Sequence, residues 1–168
     1  MAVDTTNIII GAGLLSIDGQ EVGATKDGVT MGRTVGFYDV TCDQANGVIK
    51  KHMTSQTRVL KTSLLEGTLE NLKLAWGGTI TTNAEAPEAK TLKMGATDGG
   101  EEHELVFVGP APGEYKTRTY TVHRAINVSA SEHSYKKDGE VMIPVEFEIL
   151  LDMSQPAGEE WGTIVDSK

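Results

Sequence analysis

The side chains suited to chemistry in this 168-residue chain are four histidines, one cysteine and a surplus of carboxylates. His52, His103, His123 and His133 lie far apart, and none pairs with another or with Cys42 at the spacing of a zinc ligand set. Carboxylates are adjacent or alternate at Glu101-Glu102, Glu146/Glu148 and Glu159-Glu160. General acid–base work needs two carboxyls in unlike surroundings, and all three sets read as solvated. Gly11-Ala12-Gly13 follows Ile8-Ile9-Ile10 as the glycines of a dinucleotide fingerprint follow a strand, but Ser16 stands where the third glycine belongs. A helix starting there would meet the turn pair Asp18-Gly19 within one turn, and no βαβ unit follows. There is no nucleophile elbow and no phosphate loop ending in Lys-Ser/Thr. The chain therefore reads as a non-enzyme, with no catalytic residue, cofactor or metal site expected.

Composition narrows the class further. The length suits one domain, residues 1–168, with room for a core that needs no staples. A single cysteine cannot close an internal disulfide, which points to synthesis in a reducing compartment. The N-terminus lacks a basic region and a long apolar run, and no stretch approaches the ~20 apolar residues of a membrane helix. A net charge of −9 argues against gripping nucleic acid through its phosphates. The charge is uneven: residues 101–168 carry thirteen Asp/Glu against six Lys/Arg, and residues 1–100 carry eleven against nine. Nineteen glycines and only nine aromatics favour short strands and turns over a helix bundle.

The elements follow from the patterning. Residues 1–6 read as a flexible arm, and Ile8–Ile17 as a strand closed by Asp18-Gly19. A second strand pair is expected over Gly28–Cys42, and strand character resumes over Arg58–Glu66. Between them Asp43–Thr57 reads as a polar loop of about fifteen residues, long enough to suggest function. It contains Asp43, Gln44, Asn46, Gly47 and the basic pair Lys50-Lys51, with apolar Val48, Ile49 and Met53 that a purely solvated loop has little reason to carry. A helix is expected over 68–76, capped by Thr68 and stopped by Gly77-Gly78, with Leu65, Leu69, Leu72 and Trp76 toward the core. Further strands are expected at 79–82, 92–94, 104–108 and 115–128, the last bent near Ala125. Val141, Ile143, Val145, Phe147, Ile149 and Leu151 alternate with Pro144, Glu146 and Glu148, so one face meets a core and the other largely meets water. Pro144 cannot donate to a ladder, which places part of that strand near an edge or a bulge.

Taken in order, these features resemble the tail tube proteins (major tail proteins) of long-tailed bacteriophages. The residues carrying the resemblance are Gly11-Ala12-Gly13 with Ile17-Asp18-Gly19, Asp43-Gln44 with Gly47, and Leu64-Leu65-Glu66-Gly67-Thr68-Leu69-Glu70-Asn71-Leu72. Later come Tyr135-Lys136-Lys137-Asp138-Gly139-Glu140, Ile143–Glu148 and Gly158 with Gly162-Thr163-Ile164, so that it spans roughly residues 8 to 166. The resemblance implies a mainly β fold: a two-sheet β-sandwich or half-barrel with one flanking helix, closing into a ring-shaped β-barrel on oligomerisation. It implies a homo-oligomer of hexameric rings stacked into a tube, with other tail proteins at the tube ends. DNA would pass through the lumen without specific binding, in a virion tail assembled in the bacterial cytoplasm. Residues 43–57 would be the loop that stacks one ring on the next, Val48, Ile49 and Met53 docking while Lys50, Lys51 and Arg58 pair with an acidic neighbouring ring. Glu146 and Glu148 are candidates for an acidic lumen wall. The chain would be the minimal tube module, without a further immunoglobulin-like domain. The same features suit the inner tube of a contractile injection particle. A soluble β-sandwich that binds carbohydrate or a surface is the reading from another class, though its aromatics should gather on one face.

Overall fold

The computed structural model describes residues 3–85 and 87–168. The N-terminal segment begins with a 3-10 turn at Thr5–Asn7, capped by Asp4, whose carboxylate accepts from the Thr6 amide at 3.0 Å. Of the expected flexible arm, Met1 and Ala2 lie outside the described residues, and Thr6 is tied down by the Gly113 amide, which donates to its carbonyl at 3.0 Å. Strand β1 (Leu14–Ile17) is shorter than the expected Ile8–Ile17, because residues 8–13 run without ladder partners. Gly13 packs against Phe107 and Val108, whose ring and carbonyl leave no room for a Cβ at that position. The glycine pair thus serves close packing, and a strand rather than a helix follows it.

After the short β2 (Gln20–Glu21) come two very long strands, β3 (Thr25–Cys42) and β4 (Ala45–Leu64), so residues 28–42 are one strand and not the expected pair, their partner being β4. Helix α1 (Leu69–Trp76) follows, its first turn capped by Thr68 Oγ1, which accepts from the Asn71 amide at 3.2 Å. Strands β5 (Thr79–Asn83) and β6 (Ala89–Lys93) pair only with each other. The chain then adds β7 (Glu102–Pro110), β8 (Thr117–Asn127), β9 (Ile143–Ile149) and β10 (Thr163–Ser167). The expected class is the one found: mainly β, with two sheets and one α-helix. The sheets are unequal. Eight strands form one antiparallel sheet in the order β2-β1-β7-β8-β9-β4-β3, with β10 also on β8, while β5-β6 is a separate hairpin. The large sheet is open at both ends in the single chain.

The core lies on one face of this sheet. Odd-numbered Ile143, Val145, Phe147 and Ile149 point inward with Leu60, Leu64, Leu15, Ile17 and Leu105, as the alternation of β9 predicts. Pro144 lies where expected: its carbonyl accepts from Ser131 Oγ at 2.9 Å on the side where β8 gives β9 no ladder partner, since β8–β9 pairing covers only Phe147–Ile149. The bend near Ala125 is a bulge, with His123 and Arg124 of β8 opposing Glu104 alone.

Helix α1 departs from the expected pattern. Leu72, Leu74 and Ala75 pack against the core, but Trp76 is 40% exposed and stacks on His133 with ring centroids 4.7 Å apart. The helix's buried residue is Asn71, whose Nδ2 donates to the carbonyls of Val22 and Glu66, each at 2.9 Å. An eight-residue helix has little stability of its own, and this amide ties it to the two loops beneath.

Candidate assembly surface

The segment 43–57, expected to be a loop, is a strand apart from its first two residues. Asp43 and Gln44 form a two-residue turn, and Ala45 onward continues β4 without interruption. Sequence periodicity hides this because residues 45–55 are exposed on both faces, so no apolar–polar alternation marks them. β4 pairs with β9 only over Arg58–Leu64. Beyond that point β3 and β4 have only each other, and the hairpin leaves the body as a two-stranded arm. Nine residues of β3, 34–42, reach roughly 30 Å at strand rise.

The arm is irregular at two places, and both expose apolar side chains. Between the pairs Val40↔Lys50 and Cys42↔Ala45 only Thr41 opposes Asn46, Gly47, Val48 and Ile49. Val48 and Ile49, within this irregular stretch, are 47% and 57% exposed. Thr54 is the extra residue between Gly36↔Ser55 and Phe37↔Met53. Phe37, Tyr38 and Met53 are more than half exposed around this bulge. Cys42 is a free thiol near the tip, partly covered.

The charges of the arm differ from expectation in one respect. Lys51, expected to reach a neighbouring ring, already pairs within the arm with Asp39 at 2.6 Å and lies 6.0 Å from the Phe37 ring centroid. Both partners are well exposed, so the pair contributes little to stability. Lys50 has no ion pair among the described residues. Arg58 lies at the root of the arm, not on it, with its guanidinium 5.3 Å from the Trp161 ring centroid.

Glu146 and Glu148 both point from the sheet face opposite the core, as alternation with Val145, Phe147 and Ile149 requires. Their charges are not equivalent. Glu146 pairs with Lys61 directly across the ladder at 2.8 Å, whereas Glu148 opposes Val59. Around them the face carries short side chains, among them Thr30, Thr57, Thr119, Thr121 and Thr163, placed there by their register. The acidic surplus of the second half is partly offset by lysines of the first, through Lys26–Glu140, Lys61–Glu146 and Lys73–Glu101, and two further carboxylates are held by arginines of their own half. Asp166 binds Arg118 through two bonds of 2.6 and 2.7 Å, and Glu102 binds Arg124 through two of 2.8 and 2.6 Å. Each arginine donates a planar fork that holds its carboxyl below the usual carboxylate range.

The histidines occupy unrelated places. His103 is buried and its Nδ1 lies 2.7 Å from Asp18 Oδ2, with its ring edge-on to Phe147. His52 is on the arm, His123 in the β8 bulge, and His133 beside Trp76. Sequence reasoning missed the aromatic group of Trp76, His133 and Tyr135, whose members meet only through the fold of the 128–142 connection.

No family model matches the sequence, and no curated protein matches it. Among solved structures, the fold is similar to that of a chain from the virion of a native gene transfer agent (GTA) particle. The TM-score is 0.50 at 10% identity, over 99% of this chain and 100% of that one. No helix among the described residues is long and apolar enough to cross a membrane.

Proposed function

We propose that this chain is a structural subunit of a phage-like virion, and within it the building block of the tail tube. Six copies would close into a ring, and rings would stack into a tube whose lumen passes DNA into the host. In this reading the chain performs no catalysis and holds no cofactor, its partners are copies of itself and other tail proteins at the tube ends, and it is assembled in the host cytoplasm.

The observation that carries the reading is the β3–β4 arm. A two-stranded ribbon is marginal by itself in water, and this one extends past its sheet with Phe37, Tyr38, Val48, Ile49 and Met53 exposed. Such a ribbon is best supported by lying on another subunit, which also covers the unpaired backbone of the β3 edge. Six open sheets joined edge to edge would remove their free edges by closure. The fold it shares with a chain of a gene transfer agent virion favours assembly over solitary function.

The face bearing Glu146 and Glu148 suits a lumen. It is rich in threonine, and among the described residues no unpaired lysine or arginine stands beside those carboxylates to hold a phosphate backbone. A tube structure with both glutamates on its outer wall would refute that assignment. The inner tube of a contractile injection particle rests on the same features. A surface-binding β-module has one observation in its favour, the exposed Trp76 and Tyr135 beside His133.

Negative-stain microscopy of the purified chain tests the proposal directly. Rings or tubes are expected. Featureless monomers at every concentration tried would refute it.

A further inference from the structure

The chain has four arginines. Arg118 and Arg124 each hold a carboxylate through a two-bond fork, as described above. The other two, Arg33 and Arg58, stand directly opposite each other in the β3–β4 ladder. Opposed residues have their Cβ atoms about 4.5–5.5 Å apart, and like charges so placed are destabilising. No carboxylate among the described residues pairs with either one. Among the described residues Arg33 donates only to Gln56 Oε1, at 2.9 Å. Arg58 Nε is buried without any hydrogen-bond partner. A buried donor on a cation left unsatisfied costs more than a neutral one, and such groups call for an explanation.

The surroundings supply one. β9 ends at Ile149, and above it the sheet forks, with β4 continuing into the arm on one side and β10 lying on β8 on the other. A slot of about 280 Å³ opens at the fork, lined by both arginines, Met31, Tyr120, Trp161 and Ile164. Trp161 lies under the Arg58 guanidinium, which fixes the plane of the fork without satisfying its N–H groups. The result is two guanidinium groups lining a largely apolar slot, with no anion supplied to them by the described residues.

We infer that this slot receives a carboxylate side chain from a second copy of this chain, held between Arg33 and Arg58 over Trp161. Charge decides the occupant: each copy carries 24 Asp/Glu against 15 Lys/Arg, so a neighbouring surface offers carboxylates in excess. The slot also lies at the root of the arm, where a neighbour that supports the arm must come close. The inference rests on the self-assembly proposed above and locates one contact of it. Planar guanidinium groups bind a carboxylate through two parallel bonds, which a lysine cannot reproduce.

The experiment compares the full-length wild-type chain with Arg33→Gln, Arg58→Gln and Arg58→Lys. Sedimentation velocity across a concentration series is read alongside thermal melting of the dilute chain. Arg33 is exposed, so its variant keeps the test intact should Arg58→Gln disturb the slot. The Gln variants are expected to melt no lower than wild type when dilute, since a like-charge contact is relieved. They should need at least roughly 30-fold more protein to assemble, the loss seen when one partner of a buried interfacial charge pair is removed. Arg58→Lys should fall between, and the advantage of wild type over the variants should shrink as salt is added. Unchanged assembly of both Gln variants beside an assembling wild type would overturn this contact and leave the proposed function standing. A wild type that never assembles would overturn both. Binding of a double-stranded DNA oligonucleotide that disappears in the Gln variants, with assembly unchanged, would mean that the slot takes phosphate instead.

Discussion

Asn71 shows how much one buried amide can carry. Its side chain is the link between α1 and the loops at Val22 and Glu66, through two carbonyls that have no other described side-chain donor. Asn71→Ala is expected to destabilise the domain by about 1–3 kcal/mol, as leaving buried carbonyls unsatisfied does, measured by denaturant unfolding. An equal loss in Asn71→Leu would point to hydrogen bonding over volume. Phe147 is fully buried at the centre of the core. Phe147→Ala should cost about 3–5 kcal/mol by transfer and cavity terms together. Asp152, in the turn after β9, is one contributor to the acid limb of stability. Its carboxylate accepts from the Ser154 hydroxyl, the Gln155 amide and the Ser154 backbone N–H, which lowers its pKa from 3.8 to about 2. Because the folded value is depressed, the stabilisation is present in full above pH 3.8 and is lost as pH falls toward 2. Asp152→Asn should therefore lower the melting temperature at pH 6 and narrow its gap from wild type as the pH drops below 4.

At the scale of elements the arm is the feature that the body of the domain does not need. No core residue belongs to it: the buried side chains of β3 and β4 begin at Leu60. Replacing 37–53 by a two-residue turn should leave the melting temperature of the dilute chain within a few degrees while abolishing rings and tubes by electron microscopy. Tubes of normal appearance from the shortened chain would remove the arm from the assembly. A milder variant, Val48→Ser with Ile49→Ser, changes only exposed positions, where effects on folding are usually within about 0.5 kcal/mol. It should still raise the concentration at which assembly begins. Removing the arm by cutting β4 alone would leave β3 unpaired, so both strands must be shortened together.

The molecule as a whole is a sheet with two free ends and a charge of −9. Open edges favour joining, and like net charge opposes it, so assembly should strengthen with salt until specific ion pairs are screened. If copies associate only when folded, mass action makes the melting temperature rise with protein concentration. That rise is expected for wild type and absent in the arm-shortened chain, which differential scanning calorimetry at two concentrations can compare.

How much of this was legible beforehand depends on whether the information was local. Helix 68–76 was readable because its cap and its stop are adjacent residues, Thr68 and Gly77. The core face of β9 was readable because alternation over Ile143–Ile149 reports one wet face and one dry. Charge, the lone cysteine and the scattered histidines likewise belong to the sequence alone. The arm was not readable as a strand, because residues exposed on both sides carry no periodicity and β4 gets its geometry from pairing with β3. Trp76 was assigned to the core by spacing, yet the helix rotates Asn71 inward to meet two carbonyls that lie far away along the chain or in the preceding loop. The pairing of Lys51 with Asp39, of Lys61 with Glu146, and of Arg33 opposite Arg58 is a matter of register. Register is set by the whole sheet, so only the tertiary structure could decide which charges pair with one another inside the described chain and which do not.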